Sequence, residues 1–209
     1  MNAINTSGSQ LHKTGTGRLS REERRRQLLD VALVVIREEG ADRLTLGHLA
    51  ARAGVSKPIA YEHFGTRSGL LIELYKWLDS KQVEALREAL KGVRGSLNST
   101  ADVIATAYIH CSADTGGEWH ALGAALSGSE EMGAVHQELL NGYIQLFASA
   151  LEPCSTLSRA ELERRCVGLV GAGESLSVMM LGGQCSEKEA AETFASLIQG
   201  GLCASPPQP

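Results

Sequence analysis

Five side chains between residues 56 and 63 carry groups that can hold a nucleic-acid backbone and reach base edges. They are the Ser56 hydroxyl, the Lys57 ammonium, the Pro58 ring, the Tyr61 phenol and the His63 imidazole. Placed on the outward end of one short helix, they suit the major groove and its flanking phosphates. Other chemistries find less support. No Ser/His/Asp or Cys/His arrangement is visible, and no glycine-rich phosphate loop follows a strand, so neither an enzyme nor a bound cofactor is expected. A thiol enzyme built on Cys111 is the rival from that class. Cys111, Cys154, Cys166, Cys185 and Cys203 are odd in number and form no CxxC pair, which argues against a disulfide framework or a zinc knuckle. Reduced, mostly buried thiols are expected, with a redox sensor as the alternative. His110, His120 and His136 with Cys111 match no metal-ligand spacing.

To point those five groups outward, the flanking residues must build two short helices at a fixed angle. Thr45 suits the N-cap of the first, near 45–53, and Leu46, Leu49 and Ala50 form its inner face. Gly54 falls where that helix must stop in a conformation with positive φ. Val55 plugs the angle, Ser56 caps the second helix (56–63), and Pro58 sits in a first turn that tolerates it. Ile59 and Phe64 face inward. A tight αα-hairpin of this kind also occurs in proteins that never touch DNA.

The remaining punctuation is helical throughout. Ser20 with Glu23 makes a capping box before the stripe Leu28, Leu29, Ala32, Val35 and Ile36, and Gly40 stops that helix. Arg24, Arg25 and Arg26 in its first turns read either as a solvated face or as phosphate contacts. A long helix is predicted from Thr66 to about Lys91, residues 92–99 form a linker, and Ser99 or Thr100 caps a helix near 100–113. Further helices are predicted near 118–127, from Ser129 to Leu151 before Pro153, from Ser158 to the Gly182-Gly183 pair, and from Ser186 to about Cys203. The fold class is therefore all-α, about nine helices and no sheet. Its parts are a disordered arm (1–19), a helix-turn-helix domain (20–65), a helical body (66–203), and a disordered tail (204–209).

Charge divides along the same line. Eleven Lys/Arg face seven Asp/Glu up to Arg67, while nine face seventeen beyond it, within a net charge of −4. A basic head on an acidic body is the footprint of a chain that meets nucleic acid at one end. No apolar run reaches the roughly 18 to 20 residues of a membrane span, and the polar first 19 residues do not read as a signal peptide. No membrane partner and a cytoplasmic location are expected. Lys13, Arg18 and Arg21 are sparse charges on the arm, suited to an adjacent minor groove or to simple disorder.

At this point the resemblance becomes specific. Thr45-x-x-x-Leu49-Ala50, Gly54-Val55-Ser56, Tyr61-x-His63-Phe64, Arg67 and Leu70-Leu71 together resemble the TetR family of transcriptional regulators over about residues 24–71. The resemblance implies a homodimer that places a third helix of each head in the major groove of a near-palindromic operator, most simply as a repressor, with an activator of the same fold as the alternative. Carried onto this sequence, Thr45, Ser56, Lys57, Tyr61, His63 and Arg67 would contact phosphates, and Lys57, Pro58, Ile59 and Tyr61 would be sought at base edges. Ala60 stands where a larger aliphatic residue is usual, and Arg67 replaces the usual lysine. Glu62 beside the DNA would weaken affinity or read a cytosine amino group, unless it simply faces solvent.

The resemblance also implies a dimer seam from the last two helices. Leu162, Cys166, Leu169, Gly173, Leu176 and Met180, then Phe194, Leu197 and Ile198, form an apolar stripe suited to it; core packing within one subunit is the competing reading. A small-molecule effector would sit in the body, with Tyr108, His110, Trp119, His120, Met132, His136, Tyr143, Phe147 and Met179 as candidate lining residues. Each of them also reads as ordinary core or surface.

Overall fold

The computed structural model describes residues 19–93, 95–115, 117–126 and 130–202. Its first helix, α1 (Arg21–Glu39), begins at a complete capping box: the Ser20 N–H donates to Glu23 at 2.8 Å and the Glu23 N–H donates back to the Ser20 hydroxyl at 3.2 Å. Leu28, Leu29, Ala32, Val35 and Ile36 are buried along one stripe, and Gly40 ends the helix at φ +86°. A single 3-10 turn (Ala41–Arg43) leads to α2 (Leu46–Arg52), which the Thr45 hydroxyl caps by accepting from the His48 N–H at 3.1 Å.

The end of α2 shows why the next helix is aimed as it is. Gly54, at φ +66°, donates to the Ala51 carbonyl, and the Val55 N–H donates to the Ala50 carbonyl at 3.0 Å. That pair of bonds is a Schellman stop, and only a residue free to take positive φ makes it cheaply. The chain then turns into α3 (Lys57–Phe64) and, past Gly65, into α4 (Arg67–Leu90), capped by Thr66. Gly69 is required there, since a Cβ would stand 2.4 Å from the Phe64 carbonyl oxygen.

The body comprises α5 (Leu97–Asp114), α6 (Glu118–Leu126), α7 (Glu130–Leu151), α8 (Arg159–Leu181) and α9 (Glu187–Leu202). Among the described residues there are nine α-helices and no strand. Helix α5 starts one turn earlier than its punctuation predicts. Ser96, not Ser99 or Thr100, is the cap, and Thr100 is buried with its hydroxyl on the Ser96 carbonyl. The linker therefore stops short of residue 97.

Two apolar clusters hold the helices together. The head cluster joins α1 to α4 and continues past residue 65 into Leu122 of α6 and Met132 and Val135 of α7. The body cluster joins the last turn of α4 (Leu86) to α5, α7, α8 and α9. Helix α4 therefore runs through both, and α6 is packed into the head. Residues 1–18 and 203–209, which include the expected arm up to residue 18, the expected tail and Cys203, lie outside the described residues.

Candidate nucleic-acid interface

Helix α3 turns Ala60 and Phe64 into the head core and leaves Ser56, Lys57, Pro58, Tyr61 and Glu62 exposed. Ala60 is wholly buried, so the small side chain sits at the closest point of contact beneath the helix. Tyr61 is 54% exposed, an unusual position for an aromatic ring with nothing to cover it. Ser56 takes the backbone geometry of an N-cap, yet its hydroxyl caps nothing. The reason is local: Pro58 removes one N–H that a capping oxygen would accept from, and the Ile59 N–H donates to the Ser56 carbonyl at 3.1 Å. The hydroxyl thus stays beside Lys57 with its hydrogen-bonding capacity available to a ligand. Ile59 is half-buried against the head core, and Thr45 is exposed at the start of α2, its hydroxyl engaged as a cap.

The basic residues of the head divide between bracing and display. Arg67 holds the turn between α1 and α2, donating from Nε to the Leu44 carbonyl and from Nη2 to the Ala41 carbonyl, both at 2.8 Å. Arg25 lies over the Phe64 ring, donates to the His63 carbonyl at 3.1 Å and pairs with Glu73, tying α1 to the end of α3 and to α4. Arg52 and His48 are paired with Glu38 and Glu39 at the end of α1. Arg21 and Arg24, by contrast, line a cleft with Ile59, Glu62 and His63. Burial holds the His63 imidazole below its usual range, with the fields of Arg21, Arg25 and Arg24 in the same direction and Glu62 opposing. Its Nδ1 is buried without a partner.

In the body, Tyr108, Trp119, His136 and Tyr143 line one cavity, as the sequence suggests for effector contacts. The cavity is closed to about 20 Å³, room for roughly one water molecule. Gln82, Ser112, Glu174 and Ser177 complete a polar wall that sequence reasoning missed. The Tyr143 hydroxyl donates to Gln82 at 3.1 Å, Ser177 donates to Ser112 at 3.0 Å, and Tyr75 meets His136 Nδ1 at 3.0 Å while stacking on Trp119 at 3.7 Å. Beside them Asp79 is buried, 6% exposed, with Oδ1 lacking any hydrogen-bond partner. Burial pushes its carboxyl up to about 6, against the pull of the Tyr143 hydroxyl. The signal for it was present: Asp79 interrupts the apolar stripe Leu71, Tyr75, Leu78, Leu86 of α4.

The other expected lining residues lie elsewhere. Phe147 is in the aromatic core, 5.8 Å from Tyr108 and 6.1 Å from Phe194. Met179 is 42% exposed on α8, on the wrong face to line the cavity. Met132 belongs to the head cluster, and His110 is a surface residue bonded to Glu187 at 2.9 Å. The side chain of His120 lies outside the described residues. Burial raises the Cys111 thiol, which makes it a poorer nucleophile. Among the described residues no group of three His, Cys, Asp or Glu side chains is placed to hold a metal ion.

Residues 28–74 match the family model described as bacterial regulatory proteins, tetR family. Over its head the chain is similar to the TetR family. The TetR-family match begins four residues inside the stretch that carries the motifs and ends three residues beyond it. A curated relative, the HTH-type transcriptional activator FasR of Mycolicibacterium smegmatis, is 40% identical over 85 residues, 41% of this chain and 36% of that protein. The HTH-type transcriptional regulator BetI of Serratia proteamaculans is 36% identical over 70 residues, 34% of this chain and 35% of that protein. The matched segments thus span about a third of the length of these relatives. Over the whole fold, a TetR-like transcriptional regulator from Rhodococcus sp. RHA1 superposes with a TM-score of 0.68 at 26% identity, covering 90% of this chain and 100% of that one.

The residues expected at a dimer seam fall on two faces. Leu162, Cys166, Leu169, Gly173, Phe194 and Ile198 are buried within one protomer, and Leu176 and Met180 are half-buried against the same cluster. Core packing therefore accounts for these eight. A Cβ on Gly173 would stand 2.9 Å from both Phe194 and Tyr108, so that glycine serves an intramolecular contact. Of the expected residues only Leu197 is exposed. Val167, Val178, Met179 and Leu181 are apolar residues that α8 likewise exposes to solvent. No helix of the described residues is long and apolar enough to cross a membrane.

Proposed function

We propose that the chain is a one-component transcriptional repressor that binds a near-palindromic DNA operator as a homodimer and is released by a small-molecule effector. The observation that carries the reading is the exposed Ser56, Lys57, Pro58 and Tyr61 face on a helix braced by Arg25 and Ala60. Exposed donors on a rigid helix suit phosphate and base contacts, because little ordering is left to be done on binding. In this reading Ser56, Lys57, Tyr61 and His63 bind phosphates, while Lys57, Pro58, Ile59 and Tyr61 approach base edges. Thr45 and Arg67 act mainly by fixing the helix ends from which those groups project. Arg21 and Arg24 extend the basic surface along the cleft beside α3.

The seam of the dimer is the solvent face of α8 and α9 carrying Val167, Val178, Met179 and Leu197. An effector entering the cavity at Trp119 must displace α6, because the void holds only about one water. Helix α6 also carries Glu118, buried and paired with Arg37 of α1. Opening the cavity and moving the heads are thus mechanically linked, and the effector must favour the opened state to switch anything.

A second reading, an activator, is favoured by the name of the Mycolicibacterium relative. A promoter–reporter measurement with and without the chain separates the two: repression raises reporter output when the chain is deleted, and activation lowers it. DNA binding itself is tested by salt-dependent binding to a duplex recovered from genomic fragments. Binding that is insensitive to salt or to duplex sequence would overturn the reading.

A further inference from the structure

The body cavity is electrostatically one-sided. Glu174 lines it, and Asp79 sits one turn from both Tyr75 and Gln82 on the same face of α4, within reach of the Tyr143 hydroxyl on its wall. Both carboxylates act on the same two phenols, Tyr75 and Tyr108, whose ionisation they oppose. Neither lysine nor arginine is among the residues that line the cavity. A buried carboxylate without a cation or a full set of donors is costly, and sites keep such groups where a ligand completes them. Here one oxygen of Asp79 has no donor at all. The walls are aromatic: Trp119, Tyr108 and Tyr143 stand around a void the size of a single water. Aromatic faces beside carboxylates attract organic cations and repel anions.

We infer that the effector of this chain carries a compact cationic amine or ammonium head, bound between Asp79, Glu174 and the aromatic walls of Trp119, Tyr108 and Tyr143. The inference rests on the reading that an effector binds in the body and adds its chemical class. A carboxylate or phosphate ligand would meet Glu174 in the wall and the field of Asp79 behind it, with no lysine or arginine in the lining to oppose them. A neutral ligand could give Asp79 a donor but would leave its charge uncompensated. The ammonium head takes the water-sized space and donates to Asp79 Oδ1; the rest of the ligand parts α6 from α8.

The test uses the full chain with Trp77→Phe, which leaves Trp119 as the sole tryptophan. Three sets of size-matched probes are titrated at pH 7.5: benzylamine and N-methylbenzylamine, benzyl alcohol and benzamide, and benzoate. Binding is read by calorimetry and by Trp119 fluorescence. The amines are expected to bind and to perturb Trp119, and Asp79→Asn and Glu174→Gln are each expected to weaken them about tenfold or more. The pair of variants guards against one of them failing to fold. If the neutral or anionic probes perturb Trp119 as strongly as the amines, or if both variants bind amines like the parent, the cationic class is wrong while a body effector stands. If no probe of any class perturbs Trp119, the body-effector reading falls and the class with it.

Discussion

Ser56 and Pro58 show how one residue decides the use of another. With proline at the second position of α3 and the Ile59 N–H taken by the Ser56 carbonyl, the serine hydroxyl has no helix duty, so it faces outward with Lys57. Lys57→Ala and Tyr61→Ala should each weaken operator binding by roughly 1 to 3 kcal/mol. Because both side chains are exposed, thermal unfolding should barely change; fluorescence anisotropy against a selected duplex and a melting curve check the two halves. Asp79 is the opposite case, a buried group whose effect is on stability. Its carboxyl titrates near 6 in the fold against 3.8 normally, so the fold keeps a proton that the unfolded chain has released. Stability should therefore fall as pH rises from about 4 through 6, by roughly 3 kcal/mol. Asp79→Asn should melt higher than the parent at pH 7.5 and lose that advantage near pH 4. Equal melting temperatures at both pH values would show that the carboxylate is already compensated.

At the scale of the elements, the head was the most legible part because its stops and caps are local. Gly54, Thr45, Thr66 and the Ser20/Glu23 box each act within one turn, so their types alone place the helix ends. Arg67 was not legible in that way. Its guanidinium reaches carbonyls 23 and 26 residues earlier in the chain, a contact that exists only after α1, α2 and α4 have met. Arg67→Lys should lower the melting temperature, since one ammonium cannot span both carbonyls as the fork does. The same holds in the body. The apolar spacing of α8 is right, but it cannot say which of two apolar faces meets α9 and which meets solvent. Gly173 settles the inner one by its approach to Phe194 and Tyr108. Gly173→Ala should cost about 1 to 3 kcal/mol by overpacking, while Gly168→Ala and Gly171→Ala, with open space around them, should not. Urea unfolding of the three variants makes that comparison.

At the scale of the whole molecule, one set of helices carries three features. The α3 face presents Lys57 and Tyr61 from a braced helix, α8 and α9 turn Val167, Val178 and Leu197 to solvent, and the body cavity, with Glu174 in its wall, is nearly closed. Val178→Glu with Leu197→Glu should convert a dimer to monomers in sedimentation velocity and sharply weaken operator binding, because each head alone covers only a half-site. A dimer that survives both charges would place the seam elsewhere. What the sequence could not show at this scale was the continuity of head and body. Trp119 and Leu122 of α6 look like body residues by position, yet α6 packs on α4 and ties Glu118 to Arg37. The central claim is that the exposed end of α3 reads DNA. Selecting genomic fragments with the full chain and with the Lys57→Ala/Tyr61→Ala double variant tests it most directly. The account predicts that the parent enriches fragments sharing a near-palindrome with half-sites about 10 base pairs apart, and that the double variant loses them. Equal enrichment by both proteins, or none by either, would contradict it.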